Sequence, residues 1–128
     1  MNSLSICIPS NRSFNCLDKC LNSIKTAFKP KNLKFDICIS DNSGDISKIK
    51  LIKNYKRKLN IKYQYIKRKT NRVENLCNSI KLSKKDFTWF IGDDEVVLKD
   101  SLINIEKIFE TKSKNVDLIF LNSNFIKK

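Results

Sequence analysis

A chain of 128 residues, 41% hydrophobic and 30% charged, suits one domain around one core. It contains no histidine, which excludes imidazole catalysis and zinc sites built on imidazole, and no apolar run approaches the roughly 18 residues of a spanning helix. The formal net charge is +13, and residues 48–85, with 14 Lys and Arg against the single acid Glu74, account for all of it. Such a block implies a polyanionic partner (nucleic acid, an acidic membrane face or a phosphate-bearing substrate) or, with about equal weight, a solvated lysine-rich face.

The N-terminal "MNSLSICIPSNR" lacks the basic-then-apolar order of a signal peptide. The five cysteines (7, 16, 20, 38, 77) are odd in number and form no C-x-x-C, which suits a reducing compartment and a cytoplasmic protein. "LSICI" (4–8) reads as a buried strand ending at Pro9. Phe14, Leu17, Leu21, Ile24 and Phe28 mark a helix face stopped near Pro30. "FDICIS" (35–40) reads as a second strand, and Ile46, Ile49, Ile52 and Tyr55 as a helix with a basic outer side. "IKYQYI" (61–66) alternates as a third strand does, and Val73, Leu76, Cys77 and Ile80 form a further helical stripe. "FTWFI" (87–91) is the fourth and greasiest strand, with Trp89 in the core. Leu98, Leu102, Ile105 and Phe109 give a helix starting near Lys99 or Asp100, and "VDLIFL" (116–121) a fifth strand.

Strict β-α alternation with helical crossovers predicts an α/β fold: a mostly parallel open sheet with helices on both faces, in a single domain over 1–128. Ligands of such sheets bind beyond the carboxyl ends of the strands. Four polar segments fall there: "PSNR" (9–12), "SDNSGD" (40–45), "KRKTNR" (67–72) and "GDDE" (92–95). Together they could make a site for a metal-bound phosphate ester.

Asp93, Asp94 and Glu95 at the end of an apolar strand would repel one another unless a cation joins them. Hard oxygen ligands suit Mg²⁺ or Mn²⁺. The competing reading is a solvated helix start. Asp41 could accept hydrogen bonds from a ribose or base, or could close an Asx turn with Asn42 and Ser43. Asn11 and Arg12 could meet a base or phosphate. Asn71, Arg72 and Asn75 could orient a ligand, or cap a helix and face solvent. Cys16 and Cys20 lack further ligands for a tetrahedral metal site. The chain has no P-loop and no G-x-G-x-x-G, its only glycines being Gly44 and Gly92. No acid follows the first strand, which argues against receiver domains and aspartyl-phosphate phosphatases.

"SICIPSNR", "FDICISDNSGD", Asn71 and Asn78 in "TNRVENLCNSI", and "FTWFIGDDEVVL", in this order and spacing, resemble the N-terminal half of family 2 glycosyltransferases with the Rossmann-like GT-A fold. The resemblance covers about residues 3–110. It implies an enzyme that transfers a sugar from a nucleotide-diphosphate sugar to a glycan or lipid-linked acceptor, with Mg²⁺ or Mn²⁺, in polysaccharide or lipopolysaccharide biosynthesis. It implies that Pro9, Ser10, Asn11 and Arg12 line the nucleotide pocket and that Asp41, with Asn42 beside it, binds base or ribose. Asn71, Arg72 and Asp93 would complete the donor site, and Asp94 would hold the metal with Asp93 or Glu95. Gly92 departs from the family's usual first Asp, and Ser10 from its usual Tyr.

The family's later half, which carries the acceptor site and the catalytic base, has no counterpart in 1–128. The expectation is therefore a donor-binding half, with a non-catalytic nucleotide- or partner-binding fragment as the alternative. The lysine block suits peripheral contact with an anionic membrane at the inner face. Nucleic acid is disfavoured by sparse aromatics in that block and by the acidic site.

Overall fold

The computed structural model describes residues 2–68, 70–112 and 117–121. Its elements run β1 (Ser3–Ser10), α1 (Phe14–Thr26), β2 (Lys34–Asp41), α2 (Ser47–Tyr55), β3 (Ile61–Tyr65), α3 (Arg72–Lys81), β4 (Phe87–Phe90) and α4 (Ser101–Lys112). The strands form one sheet in the order β3-β2-β1-β4, and every pair is parallel. The chain steps outward from β1 to β3, then returns to lay β4 on the far side of β1. That reversal creates a topological switch point between the carboxyl ends of β1 and β4, where open α/β sheets bind ligands.

The register aligns Ile6 with Ile37, Ile8 with Ile39 and Ile37 with Ile61, so one face of the sheet is a slab of β-branched side chains. Leu17, Leu21 and Ile24 of α1, Leu51, Ile52 and Tyr55 of α2, and Leu102, Ile105 and Phe109 of α4 join this slab in a single core. The Ser13 hydroxyl accepts the Cys16 amide at 3.3 Å and caps α1. The other face carries Ser5, Cys7, Asp36, Cys38 and Ser40, and α3 alone packs across β1 and β2. It is held by polar contacts. Ser5 Oγ donates to Asp36 Oδ1 at 2.5 Å, Lys62 Nζ lies 3.1 Å from Asp36 Oδ2, and the Cys7 thiol reaches the Ser79 carbonyl at 3.6 Å.

The expected elements occur except one. Residues 117–121 form no strand, and Val116 lies outside the described residues. Leu118 and Phe120 there are exposed, and only Ile119 packs partly on the core, so apolar composition alone misled the reading. β4 is consequently an edge strand among the described residues. Its side chains alternate between half-buried and exposed, and Trp89 is half-buried.

The face of α2 also differs from expectation. Ile46 and Ile49 are 71% and 46% exposed, while Lys48, Leu51, Ile52 and Tyr55 are buried. Steps of three fall about 60° short of a full turn each, so Ile46 and Tyr55 end on opposite sides. In α3 the inward residues are Asn75 and Ser79, and Val73 and Cys77 face solvent, because this helix lies on the polar sheet face. Leu98 precedes α4 and is exposed.

Candidate functional site

At the switch point, β1 ends in buried Ser10, and the exposed Asn11 and Arg12 that follow it face the turn Gly92–Glu95, closed by Glu95 N–H donating to the Gly92 carbonyl at 3.1 Å. Asp93 points inward. Its Oδ2 accepts from Ser10 Oγ at 3.0 Å, Asn11 N at 3.0 Å and Arg12 N at 2.9 Å. Three donors on one oxygen offset the desolvation of a carboxylate that is 3% exposed. Asp94 and Glu95 point to solvent. Asp93 is thus kept apart from its two neighbours, because it faces inward and they face water. Arg12 Nε lies 3.2 Å from Asp94 Oδ2 and 3.8 Å from Asp93 Oδ1; being exposed, this pairing orients the side chains more than it stabilises the fold.

A second carboxylate joins the same rim from β2. Asp41 is fully buried. Its Oδ1 accepts from Ser43 N at 2.9 Å and Ser43 Oγ at 2.6 Å, closing an Asx turn, and its Oδ2 accepts from Tyr63 OH at 2.6 Å. Burial, then the hydrogen bond to Asp41, push the Tyr63 phenol well above its ordinary value, so it remains a donor.

Lys48 completes the arrangement. It is fully buried, with Nζ donating to Ser10 Oγ at 3.1 Å and to the Arg12 carbonyl, and lying 3.8 Å from Asp41 Oδ1. The run Asp93–Ser10–Lys48–Asp41 therefore ties the ends of β1, β2 and the 92–95 turn into one network. Sequence reading gave this helix a basic outer side and did not single out Lys48. The signal that locates it is the i, i+3, i+4, i+7 set 48, 51, 52, 55, three of them apolar.

The third loop enters through Asn42, whose Nδ2 donates to the Thr70 carbonyl at 3.1 Å and to Thr70 Oγ1 at 2.5 Å. Asn75, buried, accepts from Ser40 Oγ at 2.8 Å and donates to the Ser10 carbonyl at 3.4 Å and Asn42 Oδ1 at 3.3 Å, bridging β1 and β2 from the polar face. Pro9 lies within β1 opposite Ser40. Asn71 caps α3 by accepting the Glu74 amide at 2.8 Å. Arg72 is exposed in the first turn of α3 and joins none of these networks. Among the described residues, then, Ser10, Asn11, Arg12, Asp41, Asn42, Asp93 and Asp94 converge. Asn71 and Arg72 stand at the margin.

Among the described residues no cluster of three or more acidic or thiol side chains could by itself hold a metal ion. Mg²⁺ and Mn²⁺ commonly take one or two protein carboxylates and fill the shell with water and phosphate oxygens. Asp94, half-exposed at the rim, with Glu95 next to it, fits that donor set; Asp93, its Oδ2 occupied by three protein donors, fits it less well. A Cβ at Gly92 would lie 2.8 Å from Asp94 Oδ1, so a side chain there would displace the Asp94 carboxylate from the place it takes here. Below the turn, burial and then the Asp93, Glu95 and Asp94 charges push the Cys20 thiol up to about 12, so it stays neutral.

The chain is 30% identical over 112 residues to the abequosyltransferase RfbV of Salmonella typhimurium, spanning 86% of this chain and 33% of that protein. Its fold matches crystal structures of Staphylococcus aureus TarS residues 1–349, in complex with UDP-GlcNAc (TM-score 0.72, 19% identity, 86% of this chain and 31% of that one) and with UDP (TM-score 0.73, 21% identity, 84% and 32%). The chain thus spans about a third of the length of these relatives. The model of glycosyl transferase family 2 matches residues 5–125, nearly the whole chain, and the chain belongs to that family.

Proposed function

We propose that this chain forms the nucleotide-sugar-binding part of a glycosyltransferase acting in surface-polysaccharide synthesis. The observation that carries the reading is the meeting of Ser10–Arg12 with Asp93–Asp94 at the switch point between β1 and β4. Family membership, the abequosyl transfer named for RfbV and the UDP and UDP-GlcNAc complexes of TarS support it.

In this reading the nucleoside lies over the ends of β1 and β2, against Pro9, Asn11 and the Asp41–Asn42 turn. Asp41, already satisfied by Ser43, Tyr63 and Lys48, acts by fixing that turn. The diphosphate lies toward Arg12 and Asp94, where the guanidinium offers N–H donors to phosphate oxygens. Asp94, with Glu95, would hold Mg²⁺ or Mn²⁺, which supplies charge stabilisation for the departing diphosphate. Asp93 keeps Asn11 and Arg12 in register with Asp94. Transfer breaks the bond between the anomeric carbon and the diphosphate oxygen and forms one to an acceptor hydroxyl, whose proton passes to a base. No residue of this chain is assigned as that base.

A thermal-shift panel of UDP-, GDP- and dTDP-sugars, with and without Mn²⁺, tests the reading. Stabilisation by at least one nucleotide sugar, larger with Mn²⁺, is expected; no stabilisation by any of them in folded protein would overturn it.

A further inference from the structure

Helix α2 carries a feature that the donor site does not use. Its inward face is Lys48, Leu51, Ile52 and Tyr55. On the opposite side Ile46, Lys50, Lys53 and Arg57 follow one another at steps of four, three and four, with Ile49 alongside, and all are exposed. Ile46 is 71% and Ile49 46% exposed, although burying an isoleucine is favourable by about 1.5–3 kcal/mol. Lys56 and Lys58 extend the positive charge past the last turn, and no acid occurs between Asp45 and Glu74. Asp45, at the head of the helix, is turned onto the Ser47 amide and hydroxyl. Among the described residues none of Lys50, Lys53, Lys56, Arg57 and Lys58 takes part in an ion pair.

We propose that this face of α2 is a docking surface for a bilayer bearing anionic lipid headgroups: Lys50, Lys53 and Arg57 meet the headgroup charge, and Ile46 and Ile49 enter the acyl boundary. Cations alone would serve nucleic acid equally well. Two exposed isoleucines within the cationic stripe, with Tyr55 turned into the core, favour a surface that has an apolar layer beneath its charge. α2 starts at the strand-end rim, six residues after Asp41, so a membrane seated on Ile46 lies beside the candidate site. The inference rests on the helix face alone and survives failure of the donor reading.

The test is co-sedimentation of the chain with vesicles of phosphatidylcholine, alone or mixed with phosphatidylglycerol, at low and high salt. Binding only to the anionic vesicles, weakened by salt, is expected. Each cation near an anionic leaflet contributes roughly five-fold, so Lys50→Gln/Lys53→Gln lowers partitioning about 25-fold. Ile46→Ser/Ile49→Ser leaves net charge unchanged and lowers it by at least about ten-fold. Lys84→Gln/Lys85→Gln, on the loop after α3, removes the same charge elsewhere and leaves binding nearly intact. All six positions lie outside the core, and circular dichroism confirms the fold of each variant. Equal loss from both lysine pairs, no effect of the isoleucine pair, or absence of binding at low salt overturns the proposal. So does tight binding of single-stranded RNA through the same lysines without the isoleucines.

Discussion

Replacing Lys48 by Met tests whether the rim is one network. Methionine keeps most of the side-chain volume and removes the ammonium, so Asp41 remains buried with no cation, and the Arg12 carbonyl loses its partner. Breaking a buried ion pair from one side costs about 3–5 kcal/mol. Asp41 keeps Ser43 N, Ser43 Oγ and Tyr63 OH as donors, which places the loss near the lower end, about 3 kcal/mol. A domain of this size has a total stability of roughly 6–19 kcal/mol, so the variant folds, with Tm lower by about 10 °C. Urea unfolding followed through the single tryptophan, Trp89, measures this. In Lys48→Met/Asp41→Asn the two losses overlap, with a coupling of about 1.5–2 kcal/mol. Additive losses in that cycle would refute the idea that the ammonium and carboxylate support each other across 3.8 Å.

Other expectations follow from single contacts. Gly92→Ala pushes the Asp94 carboxylate aside, since the new methyl meets its Oδ1; nucleotide binding in Mn²⁺ weakens several-fold while Tm hardly moves, and unchanged binding would contradict the placement of Asp94. Glu106 accepts the backbone amides of Lys31, Asn32 and Leu33, and these hold its carboxyl below the usual range, the Asn32 amide most strongly. Its contribution is therefore complete above about pH 4.3 and fades as pH falls through the lower folded value. Urea titrations should show Glu106→Gln less stable at pH 7 and level with the parent near pH 2–3; a pH-independent gap would count against the charge. With Cys20 buried and its thiol at about 12, maleimide at pH 8 should label exposed Cys77 first and leave Cys20 intact by mass spectrometry. Early modification of Cys20 would show that the 92–95 turn opens.

The parallel order of the sheet was legible because each strand is a short apolar run followed by a polar break and an amphipathic helix. The four segments of the rim were legible for the same reason, since topology alone sends them to one edge. What escaped was direction. "GDDE" gives no sign that Asp93 turns in and Asp94 out; the inward turn depends on the Asn11 and Arg12 amides, more than 80 residues away in sequence. Lys48 was overlooked because Ile46 and Ile49 looked like core, whereas the helix needs 51, 52 and 55 inside and so carries Lys48 in with them. The polar inner side of α3 was hidden because Asn75 and Ser79 bury against Ser10, Ser40 and Cys7, a sheet face visible only once the strands are paired. Residues 117–121 had strand composition, yet Leu118 and Phe120 are exposed and only Ile119 packs partly on the core, which composition does not reveal.

Calorimetric titration of UDP and UDP-sugars, with Mn²⁺ or with EDTA, into the parent chain, Asp94→Asn and Asp93→Asn measures the division of labour at the rim. The account predicts Mn²⁺-dependent binding in the parent, its loss by at least about ten-fold in Asp94→Asn at unchanged Tm, and a lowered Tm together with weakened binding in Asp93→Asn. Equal affinity with EDTA, or full affinity in a folded Asp94→Asn, would contradict it.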